Sequence, residues 1–256
     1  GTGCDTIIAQ FAADVLETPI DNISVYGVDT DISPYDSGSY ASSTTYLTGM
    51  AAVKACEQLR ERIIALAAVR MNKDASALTF DGENVIDESD GAKMSLFDIA
   101  TASMCNNEIS LEVTYSHSSP VSPPPFMAAC AEIEADPETG AIELLDYTAC
   151  VDCGTVVNTN LARVQTEGGL LQGIGMTLYE DIWYDERGKN LSNSFMQYKV
   201  PSRLDTDRIR VEFDSSYEPT GPFGAKSIGE IVINTPAPAI ADAVYNATGV
   251  WINELP

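Results

Sequence analysis

Apolar residues recur at helical spacing in several stretches of the chain. The segment CDTIIAQFAADVLETP, residues 4 to 19, predicts a helix that ends before Pro19, because proline cannot continue a helix. Residues 44 to 72 predict a second, much longer helix. Further helices are predicted at residues 94–104, 160–181 and 235–249, the last with prolines near its start and Gly249 after its end.

Other stretches alternate apolar and polar residues as strands do. Residues 77 to 87 predict a hairpin through the Asp81-Gly82 turn, and residues 126 to 154 predict two long strands joined by the turn DPETG. Strands and helices are mixed without regular β-α-β alternation, so the predicted fold class is α+β. Single strands are predicted at residues 22–30, 109–118, 208–216 and 250–256, and a further hairpin at 182–192.

The clearest interruption of these patterns is the proline-rich segment PVSPPP, residues 120 to 125. Prolines fix the backbone in extended conformations and cannot donate to a helix or a sheet. We therefore expect a boundary here between a first lobe, residues 1 to 119, and a second lobe, residues 126 to 256.

Composition and charge narrow the classes of function. The chain has 256 residues and a formal net charge of -24, which would repel the phosphates of nucleic acids and anionic membranes. No run approaches the roughly 20 apolar residues of a membrane helix, and no secretory leader is visible. We expect a cytoplasmic protein whose charge keeps it soluble, the alternative being an acidic face that docks a partner protein.

Cysteine and histidine offer little for metal binding. Six cysteines are irregularly spaced, and only Cys150 and Cys153 form a C-x-x-C pair. A zinc site needs two more ligands, and the chain has a single histidine, His117. We expect the cysteine pair to be two small buried side chains at a strand end, with a metal or redox site as the alternative. His117 is expected to be structural or exposed.

Two glycine-rich or small-residue segments precede helices. In GTGCDT, residues 1 to 6, the glycines allow close approach of a ligand, and the N–H groups of the helix start favour an anion. In SGSYASSTTYLTG, residues 37 to 49, hydroxyl and N–H groups could bind phosphate or a polar heterocycle. A plain helix cap by Ser42 or Ser43 explains the second segment equally well.

A third segment, QTEGGLLQGIG, places four glycines inside a predicted helix. Each glycine costs a helix about 1 kcal/mol relative to alanine, so close approach of a bulky ligand or another helix should offset them. Gln165 and Gln172 lie seven residues apart and share one helix face. Their amides could read the edge of a pterin or a base.

The segment GPFGAKSIGE, residues 221 to 230, ends in an acidic residue, Glu230, after three glycines. A merely solvated carboxylate needs no such flexible setting. On these residues alone, however, Glu230 remains one surface acid among the 38 acidic residues of the chain.

Taken in order and spacing, GTGCDT, PYDSGSYASSTTYLTG, DCGTVVN, QTEGGLLQGIGMTLYE and GAKSIGE resemble the molybdenum-binding region of the xanthine dehydrogenase/aldehyde oxidase family, the molybdenum hydroxylases. The resemblance runs over essentially all of the chain and covers the later half of that region. It implies a two-lobed cofactor-binding fold, with the GTG and SYASS loops in the first lobe and the QTEGG helix and GAKSIGE loop in the second.

The resemblance also implies a reaction. In this family a molybdenum ion held by a pterin dithiolene needs no protein side chain as a direct ligand, and a glutamate takes the proton from the metal-bound hydroxide that attacks an electron-poor carbon. By match that glutamate is Glu230. Lys226, four residues earlier, is expected to oppose a burial-driven rise in the pKa of that carboxyl, or to contact the pterin.

The same matching supplies the cofactor-binding residues, which are Gly1, Thr2, Gly3, Ala41, Ser42, Gln165 and Lys226. Two positions depart from the family pattern. Thr2 stands where a glutamine is common, and Ser43 stands where many bacterial relatives have arginine. We expect these departures to change individual contacts without removing the chemistry.

The partners follow from the resemblance as well. We expect the cofactor to be molybdenum-molybdopterin, in its simple or its cytosine dinucleotide form, with 2Fe-2S clusters and FAD on partner subunits or domains. Because the sequence begins with Gly1 inside such a segment, we expect a fragment, a processed chain or an expressed piece of a longer chain, inactive and self-associating without its missing half. The rival interpretations are a non-catalytic acidic assembly module that keeps the fold and an unrelated phosphate-binding module.

Overall fold

A computed structural model describes residues 2–27, 29–106, 109–202, 204–205 and 208–256. The chain divides into two compact units, Gly1–Ser122 with Thr220–Pro222, and Pro123–Pro219 with Phe223–Pro256. The main division falls within the proline-rich segment 120–125, and the residues Thr220–Pro222 return to the first unit.

The first unit contains helices α1 (Cys4–Leu16), α2 (Gly49–Met71) and α3 (Leu96–Asn106). Its small antiparallel sheet has the order β1 (Leu78–Phe80), β2 (Asn84–Asp87) and β3 (Lys93–Ser95), which confirms the predicted hairpin at Asp81-Gly82. The long predicted helix is also confirmed, although its first residues, Thr44–Thr48, form a π-helical turn. The hydrophobic core of the first unit is built from α2, the sheet and α3. It consists of Ile63, Leu66, Ala67, Ala68, Leu78, Phe80, Val85 and Ile99.

A buried carboxylate, Asp87, closes the end of β2. Its side chain is only 2% exposed and forms an ion pair of 2.8 Å with Lys73, and it accepts hydrogen bonds from Ser89 N–H and Oγ. The Lys73 ammonium and the Ser89 groups lower the pKa of Asp87 from 3.8 to about 2. Lys73 also pairs with the exposed Asp90.

These contacts predict a specific dependence of stability on pH. A carboxylate whose pKa is lower in the folded state stabilises the fold above its unfolded pKa, and this contribution disappears as pH falls through the folded value. We expect Asp87→Asn to lower the unfolding temperature at pH 7, and this deficit to vanish between pH 3.8 and about 2. Circular dichroism at a series of pH values measures it, with the exposed neighbour Glu88→Gln as the control. A deficit that stays constant down to pH 2 would contradict the ion-pair assignment.

The second unit is built on a mixed sheet of order β4 (Phe126–Ala135), β5 (Ile142–Asp152) and β6 (Ile209–Asp214). Strands β4 and β5 are antiparallel with a register shift at Glu132/Ile133, and β6 runs parallel to β5. Helices α4 (Thr159–Leu178) and α5 (Pro236–Thr248) pack with the sheet. The core that the sheet and the two helices share consists of Tyr147, Ala149, Leu170, Ile174, Val211, Ile240 and Val244.

Several strand predictions were wrong. The described residues of 22–30, the segment 109–118 and the segment 250–256 form no strand, and β3 was not predicted. Alternation makes a segment suitable for a sheet, but a strand also needs a neighbour with which to pair. The predicted hairpin at 182–192 is reduced to a tight turn with one isolated bridge, Tyr184–Asn190.

The cysteine prediction was half right. Along β5 and beyond it, Tyr147, Ala149, Val151 and Cys153 face the core, so the intervening Cys150 faces outward and is exposed. Burial, assisted by the neighbouring Asp152 charge, raises the pKa of the Cys153 thiol to about 11, which makes it unreactive.

Two properties concern metals and membranes. Within the described part of the chain, no group of three or more His, Cys, Asp or Glu side chains is arranged to hold a metal ion. In those same ranges, no helix combines the length and the apolar character needed to cross a membrane.

The single histidine, His117, was expected to be structural or exposed. Its side chain is half-buried.

Candidate active site

The loop that ends at Glu230 is attached to the end of β5 by backbone hydrogen bonds. Thr155 N–H donates to Gly224 O at 2.8 Å, and Lys226 N–H donates to Cys153 O at 2.7 Å, which makes an antiparallel bridge between Gly154 and Ala225. The segment DCGTVVN and the segment GAKSIGE, separate in the sequence, are therefore directly paired.

Glycine is required at two positions of this pairing. Gly154 and Gly224 have φ of 71° and 84°, in the left-handed region that L side chains rarely adopt. A methyl group built on Gly154 would lie 2.3 Å from Gly224 O, and one on Gly224 would lie 2.3 Å from the Tyr217 ring. The glycines thus permit the close backbone approach that fixes the loop.

Lys226 forms a largely buried ion pair that the sequence did not predict. Its ammonium lies 2.8 Å from Asp152 Oδ2, with only 7% of the lysine and 17% of the aspartate side chain exposed. The ammonium also lies 5.3 Å from the centroid of the Phe126 ring. Asp152 is the first residue of the segment DCGTVVN. Its pairing with Lys226, 74 residues away, had no signal in the sequence.

Asp152 is stabilised in its charged form by several donors. Burial alone would raise the pKa of this carboxyl, but hydrogen bonds from Lys226, Gly154 N–H and Ser216 Oγ outweigh burial and hold the pKa below its usual range. The ammonium group of Lys226 is therefore paired with the Asp152 carboxylate in this chain. Its predicted roles toward Glu230 and the pterin stay predictions.

Gln165 contacts the other end of the loop, next to Glu230. Gln165, half-buried on α4, donates from Nε2 to Gly229 O at 3.2 Å, one residue before Glu230. Glu230 is exposed in this chain and is followed by the short 3₁₀ turn Ile231–Ile233. The second unit therefore places Gln165 of α4 against the anchored loop that carries Lys226 and Glu230.

The remaining predicted residues belong to the first unit. Gly3, in left-handed conformation with φ of 77°, immediately precedes α1, and Thr2 beside it is exposed. Gly1 lies outside the described residues. Helix α1 packs against the π-helical turn that follows the SYASS loop. The two small-residue segments of this unit are therefore connected through neighbouring elements.

The SYASS loop has an unusual backbone. Ala41 and Ser42 have φ of 50° and 55°, a left-handed conformation that costs a non-glycine residue about 1–2 kcal/mol. Ser43 returns to the right-handed region, and its side chain caps no helix end, donating instead to Gly38 O at 3.4 Å. Successive left- and right-handed residues turn their N–H groups into a concave anion-binding shape. Ser43 is therefore not a helix cap through its side chain, and ligand binding at this loop stays a prediction.

Comparison with known proteins defines the class. The chain is 38% identical over 256 residues to the probable hypoxanthine oxidase XdhD of Escherichia coli strain K12, covering 99% of this chain and 27% of that protein. It is 32% identical to the putative xanthine dehydrogenase molybdenum-binding subunit XdhA of the same organism, covering 100% of this chain and 35% of that one. Quinoline 2-oxidoreductase from Pseudomonas putida 86 superposes with a TM-score of 0.84 at 27% identity, covering 98% of this chain and 33% of that chain.

These matches assign the chain to the molybdenum-binding region of the xanthine dehydrogenase/aldehyde oxidase family, with the predicted α+β fold. The family model of the molybdopterin cofactor-binding domain matches residues 1–207, and the chain belongs to this family. It spans about a third or less of the length of the two curated relatives. The sequence-based recognition is confirmed, and so is the oxidoreductase class of the family.

Proposed function

We propose that this chain supplies the proton-accepting residue and part of the cofactor-binding surface of a molybdenum hydroxylase. The observation that carries the proposal is the anchoring of the Glu230 loop. The Lys226–Asp152 ion pair holds its beginning, and the Gln165–Gly229 hydrogen bond holds its end. A carboxylate at the end of a loop fixed at both ends is suited to hold one position, as a catalytic base must.

The residues of each unit fit a polar, anionic cofactor. The start of α1 after Gly3 presents helix N–H groups, and the loop at Ala41 and Ser42 adds a concave backbone surface. In the first unit Thr2 would offer a hydroxyl in place of an amide. In the second unit, taken by itself, Gln165 offers a side-chain amide on α4. When bound, the molybdenum cofactor accepts the two electrons that leave the substrate as it is hydroxylated.

Glu230 performs the proton transfer in this proposal. Its carboxylate oxygen would accept the proton of the water-derived oxygen as that oxygen bonds to an electron-poor carbon of the substrate. The C–H bond at that carbon breaks, its two electrons would pass to the bound cofactor, and its hydrogen would leave as the second proton. A positioned base of this kind contributes about 10²–10⁴-fold to a rate. The hydrogen bond from Gln165 fixes the carbonyl group of Gly229, which is bonded to the backbone nitrogen of Glu230. The position of the base is therefore controlled through the main chain.

The substrate class is a heterocycle or an aldehyde. Because the relative at 38% identity is called a probable hypoxanthine oxidase, hypoxanthine is the first substrate to test. The complete enzyme, purified with this chain in it, should contain stoichiometric molybdenum and oxidise hypoxanthine or another member of a panel of purines, nicotinate, aldehydes and aromatic thioesters. An assembly module that only keeps the fold would contain no stoichiometric molybdenum and turn over none of them.

Further parts of the enzyme complete the proposal. The rest of the molybdenum-binding subunit, 2Fe-2S clusters and FAD on other domains or subunits would carry the electrons away in the cytoplasm. The related 6-hydroxypseudooxynicotine dehydrogenase of Paenarthrobacter nicotinovorans is called a complex, and its gamma subunit is 32% identical to this chain over 265 residues. The simple and cytosine dinucleotide forms of the cofactor are distinguished by releasing the cofactor and analysing it for cytosine nucleotide. This chain by itself should be inactive.

A further inference from the structure

One side of helix α4 carries two glycines that neighbouring residues approach closely. Gln165, Gly169 and Gly173 are spaced by four residues and lie on the same side of α4; we call them the glycine face. This side packs against the turn Ile231–Ile233, which directly follows Glu230. The face thus contacts the chain on both sides of Glu230, at Gly229 through Gln165 and after it through the two glycines.

The glycines are needed because this contact leaves no room for a side chain. A methyl group built on Gly169 would lie 2.1 Å from Val232 Cγ2 and 2.9 Å from Val232 Cβ. One built on Gly173 would lie 2.6 Å from Pro236 Cγ and 2.9 Å from the backbone oxygen of Ile233. Val232 is 1% exposed and lies in a close-packed interior, so a methyl group on Gly169 would have to displace it.

The neighbouring Gly168 provides a contrast. It lies on the exposed side of α4, and a methyl group built there meets no described atom within 4 Å. The glycines of QTEGGLLQGIG therefore do not share one role. Gly169 and Gly173 approach the turn and Pro236, the buried Gly175 approaches Glu180 and Pro201, and Gly168 is exposed.

We propose that the glycine face positions Glu230: Gly169 and Gly173 admit the Ile231–Ile233 turn, and Gln165 fixes Gly229. This inference rests on the proposed role of Glu230 as the base. Gly169 and Gly173 act through the backbone of the turn and are positioning residues, whereas Glu230 is the catalytic one. A side chain at Gly169 pushes Val232 away from α4. Because Glu230 lies only two residues before Val232, its carboxylate is displaced as well.

The first test is amide hydrogen exchange in the complete enzyme. We expect Gly169→Ala to raise exchange across residues 229–234 roughly tenfold, because the displaced turn opens more readily. The matched control Gly168→Ala, on the exposed side of the same helix, should leave that exchange unchanged. Equal exchange in the two variants would overturn the proposal.

The second test is catalytic. With hypoxanthine, or the substrate identified from the panel, Gly169→Ala should lower kcat by ~10²-fold with little change in KM and in molybdenum content. Adding Val232→Ala removes Cγ2, the closest clashing atom, and should recover part of the lost kcat. If Gly169→Ala prevents assembly, Val232→Ala alone, which removes the same contact from the other side, should raise exchange at residues 229–234.

The two proposals can fail separately. If Gly169→Ala raises exchange but Glu230→Gln keeps full turnover, the role of Glu230 as the base is wrong and the packing role of the glycine face stands. If Gly169→Ala and Val232→Ala leave exchange and turnover unchanged while Glu230→Gln is inactive, Glu230 is the base and the glycine face does not position it.

Discussion

Glu230→Gln is expected to lower kcat of the complete enzyme by about 10²–10⁴-fold, because the amide cannot accept the proton that the proposed mechanism gives to the carboxylate. The substitution keeps the size of the side chain and its place at the end of the anchored loop. Binding of substrate should be nearly unchanged, so KM should change far less than kcat. Steady-state kinetics together with molybdenum analysis measures both quantities.

The control for this variant is Glu138→Gln, an exposed glutamate in the turn between β4 and β5 that undergoes the same change of charge. It should keep full turnover. Full turnover of Glu230→Gln with molybdenum retained would show that another group accepts the proton. Loss of molybdenum together with activity would instead assign Glu230 to holding the cofactor, which also contradicts the proposed role.

The second large effect is expected at Lys226. Lys226→Met keeps the length of the side chain but leaves the Asp152 carboxylate without its ammonium partner in a largely buried setting. Removing one member of a buried pair typically costs 3–5 kcal/mol, and the 17% exposure of Asp152 places our expectation near the lower end, at about 3 kcal/mol. The unfolding temperature should fall by roughly 6–12 °C.

Two comparisons isolate the ion pair. The exposed Lys199→Met makes the same change of charge and should leave the unfolding temperature nearly unchanged. The double variant Lys226→Met with Asp152→Asn should recover part of the loss, because no unpaired charge remains. An unchanged unfolding temperature with a lower molybdenum content would instead support a direct contact between Lys226 and the cofactor.

Much of the fold was predictable because its signals are local. The hydrophobic repeats predicted all five helices, α1 to α5, of the described residues, and the turns at Asp81-Gly82 and DPETG predicted the hairpins around them. Segments 109–118 and 250–256 failed because strand formation depends on a partner elsewhere in the chain. In the last of these, Trp251 stacks on Tyr245 of α5 with the ring centroids 4.2 Å apart, so packing on a helix takes the place of pairing in a sheet.

The candidate site was predictable in part for the same reason. Glu230 was noticed because of the glycines that precede it. Its proposed role as the base came from the order and spacing of motifs, which are visible in the sequence. The ion pair of Lys226 was invisible, since its partner lies 74 residues away. The exposed Cys150 was mispredicted because two residues of one C-x-x-C pair lie on opposite faces of the chain.

The amino-acid sequence by itself determined the family, the fold class and the order of the motifs, because each is encoded by neighbouring residues and their spacing. Only the tertiary structure decided which of two adjacent glycines, Gly168 or Gly169, is in close contact, and that Gln165 holds Gly229. The physical reason is that a contact between distant segments depends on how helices and loops pack, and residues of equal local propensity then acquire different neighbours.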